Sequence, residues 1–182
     1  AINALPLRYY EGSITLIDSF KNADKACDKL AHETILGFDT ETKPSFKKGV
    51  SYNPSLLQLA GSDYVFLFRI NVIGIPTKLK TLLEDSKIIK AGVAVNRDLS
   101  DVQKMSKIRP DNFIDIAEEA KKQQLDNHGL RNLAALILNF RISKGKRTSN
   151  WERDDLTSGQ IRYAATDAWV SREIYLKISV NR

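Results

Sequence analysis

The sequence predicts an α/β domain in which a mixed β-sheet is flanked by helices. Strand-like runs dominate the first half of the 182 residues, and helix-like runs dominate the second half. Two of the early strands are separated only by Gly61, Ser62 and Asp63, which suits a hairpin between antiparallel neighbours. A later strand alternates with helices, as parallel strands require. Both kinds of connection in one chain indicate a mixed sheet.

Hydrophobic periodicity and boundary residues assign each element. Apolar, β-rich runs predict strands at Ile14–Ile17, Ile35–Glu41, Leu56–Ala60, Tyr64–Ile70 and Lys87–Val95, with a short one near Phe113 and Ile114. Helical periodicity predicts helices at Asn22–Ala31, Pro76–Glu84, Asp98–Ser106, Asp115–Gln124, Leu130–Asn139 and Ser158–Ile178. Thr157 and Gln160 are expected to form a capping box at the start of the last helix.

Composition narrows the functional classes. The net charge is +6, which favours a polyanionic partner such as nucleic acid. No apolar run reaches the roughly 18 residues of a membrane span, so no membrane partner is expected. The single cysteine, Cys27, and a first segment unlike a secretory signal predict an intracellular protein. It would be cytoplasmic in a bacterium, and in a eukaryote a nuclear location is an alternative.

Two carboxylates are predicted to lie side by side at the end of an apolar strand. Residues two apart on a strand share a face, so Gly37, Asp39 and Glu41 point to the same side. Like charges this close raise each other's proton affinity unless a cation lies between them. The alternative is a strand that simply ends at Asp39 in solvent.

A third carboxylate, Asp167, interrupts the apolar stripe of the last helix. Buried aspartate is almost always paired or metal-bound, and the alternative partners Arg162 and Arg172 fall off the stripe. Tyr163 lies one turn earlier, so its phenol emerges on the same face; the alternative is a buried core tyrosine.

Asp98 follows an apolar strand and opens a predicted helix. Taken alone, it is better explained as a helix N-cap, and Asp101 is a rival for any functional role. Together with Asp39, Glu41 and Asp167, however, it would bring four carboxylates to one sheet edge. Oxygen ligands of this kind suit Mg²⁺ or Mn²⁺, and the chain has neither zinc-type Cys/His spacing nor a phosphate-binding glycine loop.

Three motifs resemble those of the DEDD 3′-5′ exonucleases: Phe38–Glu41 (FDTE), Asn96–Asp98 (NRD) and Tyr163–Asp167 (YAATD). The tyrosine marks the subgroup that contains RNase D and the Werner-type exonuclease domains. Further segments are similar to the Werner-type domain, namely Ser55–Leu59, His128–Leu133, Ser149–Trp151 and Leu156–Thr157. Thr40 and Thr42 depart from this pattern, because the Werner-type domain has bulkier side chains beside its acids at these positions. The resemblance covers residues 14–178, nearly the whole chain.

The resemblance implies a ribonuclease H-like fold and a single exonuclease domain over residues 1–182. It implies metal-dependent removal of nucleotides from the 3′ end of DNA, with RNA as the alternative substrate. A non-catalytic nucleic-acid-binding module is a less favoured alternative function. Two divalent cations, Mg²⁺ or Mn²⁺, would be held by Asp39, Glu41, Asp98 and Asp167. Tyr163 would orient the attacking water, because a phenol with an ordinary pKa near 10 is a poor base at neutral pH.

Nucleic acid contacts are expected from Thr40 beside the acids, from Lys43 after them, and from Lys144, Lys146 and Arg147 in the irregular stretch from Arg141 to Asp155. For each single lysine, a merely solvated position is the stronger alternative. Phe46 and Tyr52 are candidates for stacking on bases, whereas Trp151 and Leu130 are interpreted as core residues first.

Overall fold

A six-stranded mixed sheet forms the centre of the computed structural model, which describes residues 2–125 and 129–180. The strands are β1 (Ser13–Ile17), β2 (Ile35–Glu41), β3 (Leu56–Ala60), β4 (Tyr64–Phe68), β5 (Ile89–Gly92) and β6 (Phe113–Asp115). Their order is β1-β4-β3-β2-β5-β6. Strand β3 is antiparallel to β2 and β4, and all other neighbours are parallel. The predicted mixed sheet and the β3–β4 hairpin are therefore confirmed.

Helices cover both faces of this sheet. They are α1 (Phe20–Leu30), α2 (Ile70–Ile73), α3 (Thr77–Leu83), α4 (Val95–Gln103), α5 (Ile116–Lys122), α6 (Leu130–Leu133) and α7 (Ser158–Ser179). A 3₁₀ turn at Ile2–Ala4 precedes β1, and a π-helical turn at Ala134–Leu138 replaces the second half of the helix predicted for Leu130–Asn139. Within residues 2–125 and 129–180, no helix combines the length and apolarity needed to cross a membrane.

The start of α4 differs from the sequence prediction. Ala94 has left-handed backbone angles (φ 55°, ψ 41°), so the extended run stops at Gly92 and the helix begins at Val95. Val95 is buried as the first helical residue rather than as the last residue of a strand. Asp98 consequently lies inside the first turn of α4. Both hypotheses about it, a strand end and an N-cap, are wrong.

Helix α7 packs directly on β2, and Gly37 permits this close approach. A Cβ atom at position 37 would lie 1.9 Å from the carbonyl oxygen of Ala168, far inside any real contact. The helix begins with the predicted capping box, in which Thr157 and Gln160 bind each other's backbone N–H groups. Since Ala168 follows Asp167, the contact that needs Gly37 also sets the distance between α7 and the acids of β2.

Replacement of Gly37 should therefore be costly. We expect Gly37→Ala to lower the free energy of unfolding by about 1–3 kcal/mol or more, because α7 must move off the sheet to admit the methyl group. Urea denaturation measures this loss. Gly145→Ala is the control, since its Cβ would meet only the Ser143 hydroxyl at 3.4 Å. Equal stability of the two variants would contradict the close packing described above.

Candidate active site

Three carboxylates meet where β2 ends beneath α7. Asp39, Glu41 and Asp167 each offer an oxygen, and these oxygens lie within 4.8 Å of one another. Glu41 and Asp167 are buried, and Asp39 is half-buried. The arginines considered as partners of Asp167 lie elsewhere: Arg172 binds the Ile35 carbonyl at 3.0 Å, and Arg162 lies 4.1 Å over the ring of Tyr9.

These acids open onto a cavity of about 690 Å³, here called the carboxylate cavity. Asp98 lines it from α4, on the face of the sheet opposite α7, and accepts a hydrogen bond from the side chain of Thr40. Asp98 is not part of the trio of close oxygens, although its charge acts on Asp39. Asp101 also lines the cavity, but it is paired with Lys104 at 3.1 Å.

Local hydrogen bonds hold two of the acids in place. The backbone N–H of Thr40 donates to Asp39 Oδ1 at 2.8 Å. The buried amide of Gln58 donates to Glu41 Oε1 at 3.3 Å and to the carbonyl of Ala164 on α7 at 3.3 Å. Gln58 lies opposite Asp39 in the β2–β3 register and was given no role from the sequence. The available signal was one amide within the apolar run Leu56–Ala60.

Tyr163 is both a buried core residue and a part of the cavity wall. Its ring is buried and lies 6.0 Å, centroid to centroid, from the ring of Trp151, itself a fully buried core residue as predicted. Its hydroxyl reaches the carboxylate cavity and hydrogen-bonds with Asp167 one turn further along α7. The apolar ring therefore fixes the position of a polar group at the cavity wall.

Burial raises the pKa of all four carboxyl groups. The pKa of Asp167 is about 8 and that of Asp98 is about 7, in both cases chiefly because the groups are removed from water. The pKa values of Asp39 and Glu41 are also raised well above the usual range, first by burial and then by repulsion from neighbouring acids. Arg147 opposes this shift at Asp39 and Asp167. Hard oxygen donors that repel one another in this way suit a divalent cation.

A second cavity of about 490 Å³, here called the basic arm, continues from Asp39, Tyr163 and Asp167. Lys144 and Arg147 line it, and Arg147 lines the carboxylate cavity as well. Leu130 also borders it while packing partly buried against the core, as expected. His128, part of the resemblance, lies outside the described residues.

The remaining predicted contacts separate into two groups. Thr40 and Lys43 line the carboxylate cavity, and Lys43 forms an ion pair with Glu152 at 3.7 Å. Lys146 lines neither this cavity nor the basic arm. It lies at the start of α7, where a Cβ added to Gly159 would meet its Cε atom at 3.1 Å. Lys146 therefore differs from Lys144 and Arg147 in its surroundings, although all three lie in the same loop.

Comparison with known proteins identifies the family. A family model described as 3′-5′ exonuclease matches residues 14–181. The chain belongs to the 3′-5′ exonuclease family. Among members of this family, the mouse bifunctional 3′-5′ exonuclease/ATP-dependent helicase WRN is 31% identical in an alignment of 188 positions, gaps included, that covers 96% of this chain and 13% of the relative. An Arabidopsis thaliana 3′-5′ exonuclease is 31% identical over 78% of this chain and 51% of its own length. The chain thus spans about half or less of these relatives.

Solved structures of exonucleases have the same fold. The Aedes aegypti Nibbler EXO domain superposes with a TM-score of 0.82 at 25% identity, covering 96% of this chain and 91% of that one. Escherichia coli RNase D gives a TM-score of 0.83 at 23% identity, covering 92% and 44%. The ribonuclease H-like fold expected from the motifs is confirmed.

The raised pKa values predict how the stability of this chain responds to pH without metal. The folded state holds protons on Asp98 and Asp167 up to about pH 7 and 8, whereas unfolded aspartate releases them near pH 4. The free energy of unfolding should therefore fall as the pH rises from about 4 to 8. With chelator at pH 8, Asp167→Asn should be more stable than the parent by a few kcal/mol, since one pKa unit corresponds to about 1.4 kcal/mol.

Denaturation of both proteins at pH 5.5 and pH 8 measures this difference, with the exposed Asp18→Asn as control. Mn²⁺ should raise the melting temperature of the parent and of Asp18→Asn more than that of Asp167→Asn. A parent that is equally stable at both pH values and indifferent to Mn²⁺ would contradict the electrostatic description of the site.

Proposed function

We propose that this chain is a metal-dependent exonuclease that releases nucleotides from the 3′ end of a nucleic acid strand by phosphodiester hydrolysis. The observation that supports it is the trio of Asp39, Glu41 and Asp167. In residues 2–125 and 129–180 no lysine, arginine or histidine lies within ion-pair distance of these acids, although they are close together and open to a cavity. Family membership adds the reaction class.

Each side chain has a separate task in this proposal. Asp39, Glu41 and Asp167 would hold two divalent cations, Mg²⁺ or Mn²⁺, and Asp98 would assist from the opposite face. Bound there, the cations supply Lewis acidity that activates water and stabilises the charge on the phosphate. Tyr163 would orient the attacking water through its hydroxyl. Its pKa is raised above the ordinary value, first by burial, so it is not a general base at neutral pH.

DNA is the substrate that we propose first, and RNA is the second candidate. The resemblance of the motifs to the Werner-type exonuclease domain favours DNA. RNA is supported by the shared fold with Escherichia coli RNase D, whose structure is described as that of an exoribonuclease involved in structured RNA processing. A non-catalytic module is disfavoured because no motif carboxylate is missing.

End-labelled strands test the activity directly. Matched single-stranded DNA and RNA, labelled at the 5′ end, should shorten stepwise from the 3′ end with Mg²⁺ or Mn²⁺ and remain intact with chelator. Asp39→Ala should lower the rate by at least about 10²-fold, because the phosphate charge loses its stabilisation. Failure of the parent to degrade either strand would overturn the proposed function, and faster loss of RNA would make RNA the substrate.

Tyr163→Phe is the second arm of this experiment. It keeps the buried ring and removes only the hydroxyl, so we expect the rate to fall about 10- to 100-fold through loss of orientation. Mn²⁺-induced stabilisation should persist in this variant. Unchanged turnover would remove the role proposed for the hydroxyl.

Salt dependence separates the basic residues that contact the strand from those that do not. Arg147→Ala should reduce the slope of log affinity against log salt by about 0.7, the value for one phosphate of a single strand. Lys146→Ala is the matched control from the same loop and should leave the slope unchanged, because Lys146 lines neither cavity. Affinities measured with chelator at several salt concentrations give both slopes. Identical slopes for the two variants would refute a phosphate contact by Arg147.

A further inference from the structure

A buried arginine lies at the sheet edge that carries the site, and the proposed reaction gives it no task. Arg69 directly follows β4, which runs in the same direction as β2, and it is only 6% exposed. Within residues 2–125 and 129–180 it forms no ion pair with a carboxylate, and its Nε–H has no hydrogen-bond partner. Because burying a guanidinium group in this way is costly, Arg69 requires an explanation beyond core packing.

Both ends of the guanidinium fork bind the loop that precedes α7. Arg69 Nη1 donates to the carbonyl of Asp154 at 2.6 Å, and Nη2 donates to the carbonyl of Arg153. The two acceptors are consecutive, which suits the planar pair of N–H donors of an arginine. Hydrogen bonds from a charged donor are also stronger than neutral ones. Residues 147–155 are here called the tethered loop, and Arg69 fixes its last part.

Hydrogen bonds carry this restraint along the tethered loop to the cavity wall. The backbone N–H of Arg153 donates to the carbonyl of Asn150 at 3.5 Å. The indole N–H of the buried Trp151 donates to the carbonyl of Arg147 at 3.3 Å. Arg147, at the other end of the loop, lines both the carboxylate cavity and the basic arm, whereas Arg69 lines neither. The contact of Arg69 with the site is therefore made through the loop.

We propose that Arg69 is a positioning residue, which holds the tethered loop in the conformation in which Arg147 meets a phosphate of the bound strand. This rests on the proposed function and adds a residue to its strand-binding machinery. A loop without this restraint would sample many conformations, and strand binding would have to order it. Held in advance by Arg69, the loop presents Arg147 without that cost. Lysine is a weaker substitute, because its ammonium group lacks the planar pair of donors.

Trypsin tests the restraint without any nuclease activity. When trypsin cuts after Arg153, it attacks the same carbonyl that Arg69 binds. Arg69→Met removes the donors but keeps a long apolar side chain, and it should accelerate cuts after Arg147 and Arg153 roughly 10- to 100-fold. Mass spectrometry identifies the cuts, and unchanged rates would overturn the tether.

Lys90→Met is the matched control. Lys90 is also a buried cation that donates to two backbone carbonyls, but these lie near the end of α3 and Lys90 lines neither cavity. The tethered loop of this variant should be cut at the rate of the parent. Melting temperatures of both variants report any loss of global stability.

Strand binding tests the positioning itself. With Mn²⁺, Arg69→Met should raise KM for single-stranded DNA roughly 5- to 30-fold with little change in kcat, because binding must now order the loop. With chelator, the slope of log affinity against log salt should fall by up to about 0.7, the loss expected for Arg147→Ala. A merely destabilised protein would lose active fraction, and hence apparent kcat, but would keep the KM and the slope of the parent. Arg69→Lys should recover part of the lost affinity.

A double variant shows whether Arg69 acts through Arg147. Since both changes remove the same phosphate contact, Arg69→Met combined with Arg147→Ala should have the slope of Arg147→Ala alone. A further loss of slope, or a KM of Arg69→Met equal to that of Lys90→Met, would overturn the positioning role. If Arg69→Met does not fold, Arg69→Lys takes its place in every comparison, with the same directions of change and smaller effects.

These outcomes are distinct from a failure of the proposed function. A parent that degrades no strand refutes the exonuclease activity itself, whereas the trypsin rates and the salt slopes still decide the role of Arg69. A parent that degrades strands normally, with Arg69→Met indistinguishable from Lys90→Met, refutes only the positioning role.

Discussion

The site depends on a repulsion that the fold enforces. Asp39 and Glu41 leave β2 on the face that α7 covers, and α7 brings Asp167 to the same point because Gly37 allows the helix to touch the strand. Each carboxylate loses water on burial, and each raises the proton affinity of its neighbours. A fold optimised for stability alone would replace at least one of them. Their joint presence is therefore compatible with the binding of a divalent cation, which would offset this repulsion.

Apolar packing on both faces of the sheet offsets the electrostatic cost of these buried acids. Apolar clusters fill both faces: α1, α3 and α4 pack on one side around residues such as Leu36 and Phe38, and α7 packs on the other. Alternation along β2 places Phe38 in the first cluster and Asp39 towards the second face. The strand thus contributes to the core and to the site with alternate residues. Asp98 can then approach from the first face and Asp167 from the second, at the end of one strand.

The sequence predicted those parts of the site that depend on local periodicity. A period of two places Asp39 beside Glu41, and the helical period places Tyr163 beside Asp167. It failed where a backbone conformation without a residue signature decided the outcome, as at Ala94, whose left-handed angles begin α4 earlier and move Asp98 into the helix. It also failed for tertiary partners. Gln58 became recognisable only when β3 was paired with β2.

Arg147 shows how a basic chain can contain an acidic centre. It is exposed, borders both the carboxylate cavity and the basic arm, and counteracts the repulsion at Asp39 and Asp167 without forming an ion pair with them in the described residues. An arginine buried against these acids would neutralise them and compete with a cation. An arginine at the rim remains free to meet a phosphate once the acids are neutralised by metal. The charges along the wall are therefore separated: the acids favour cations, and Arg147 favours the anionic strand.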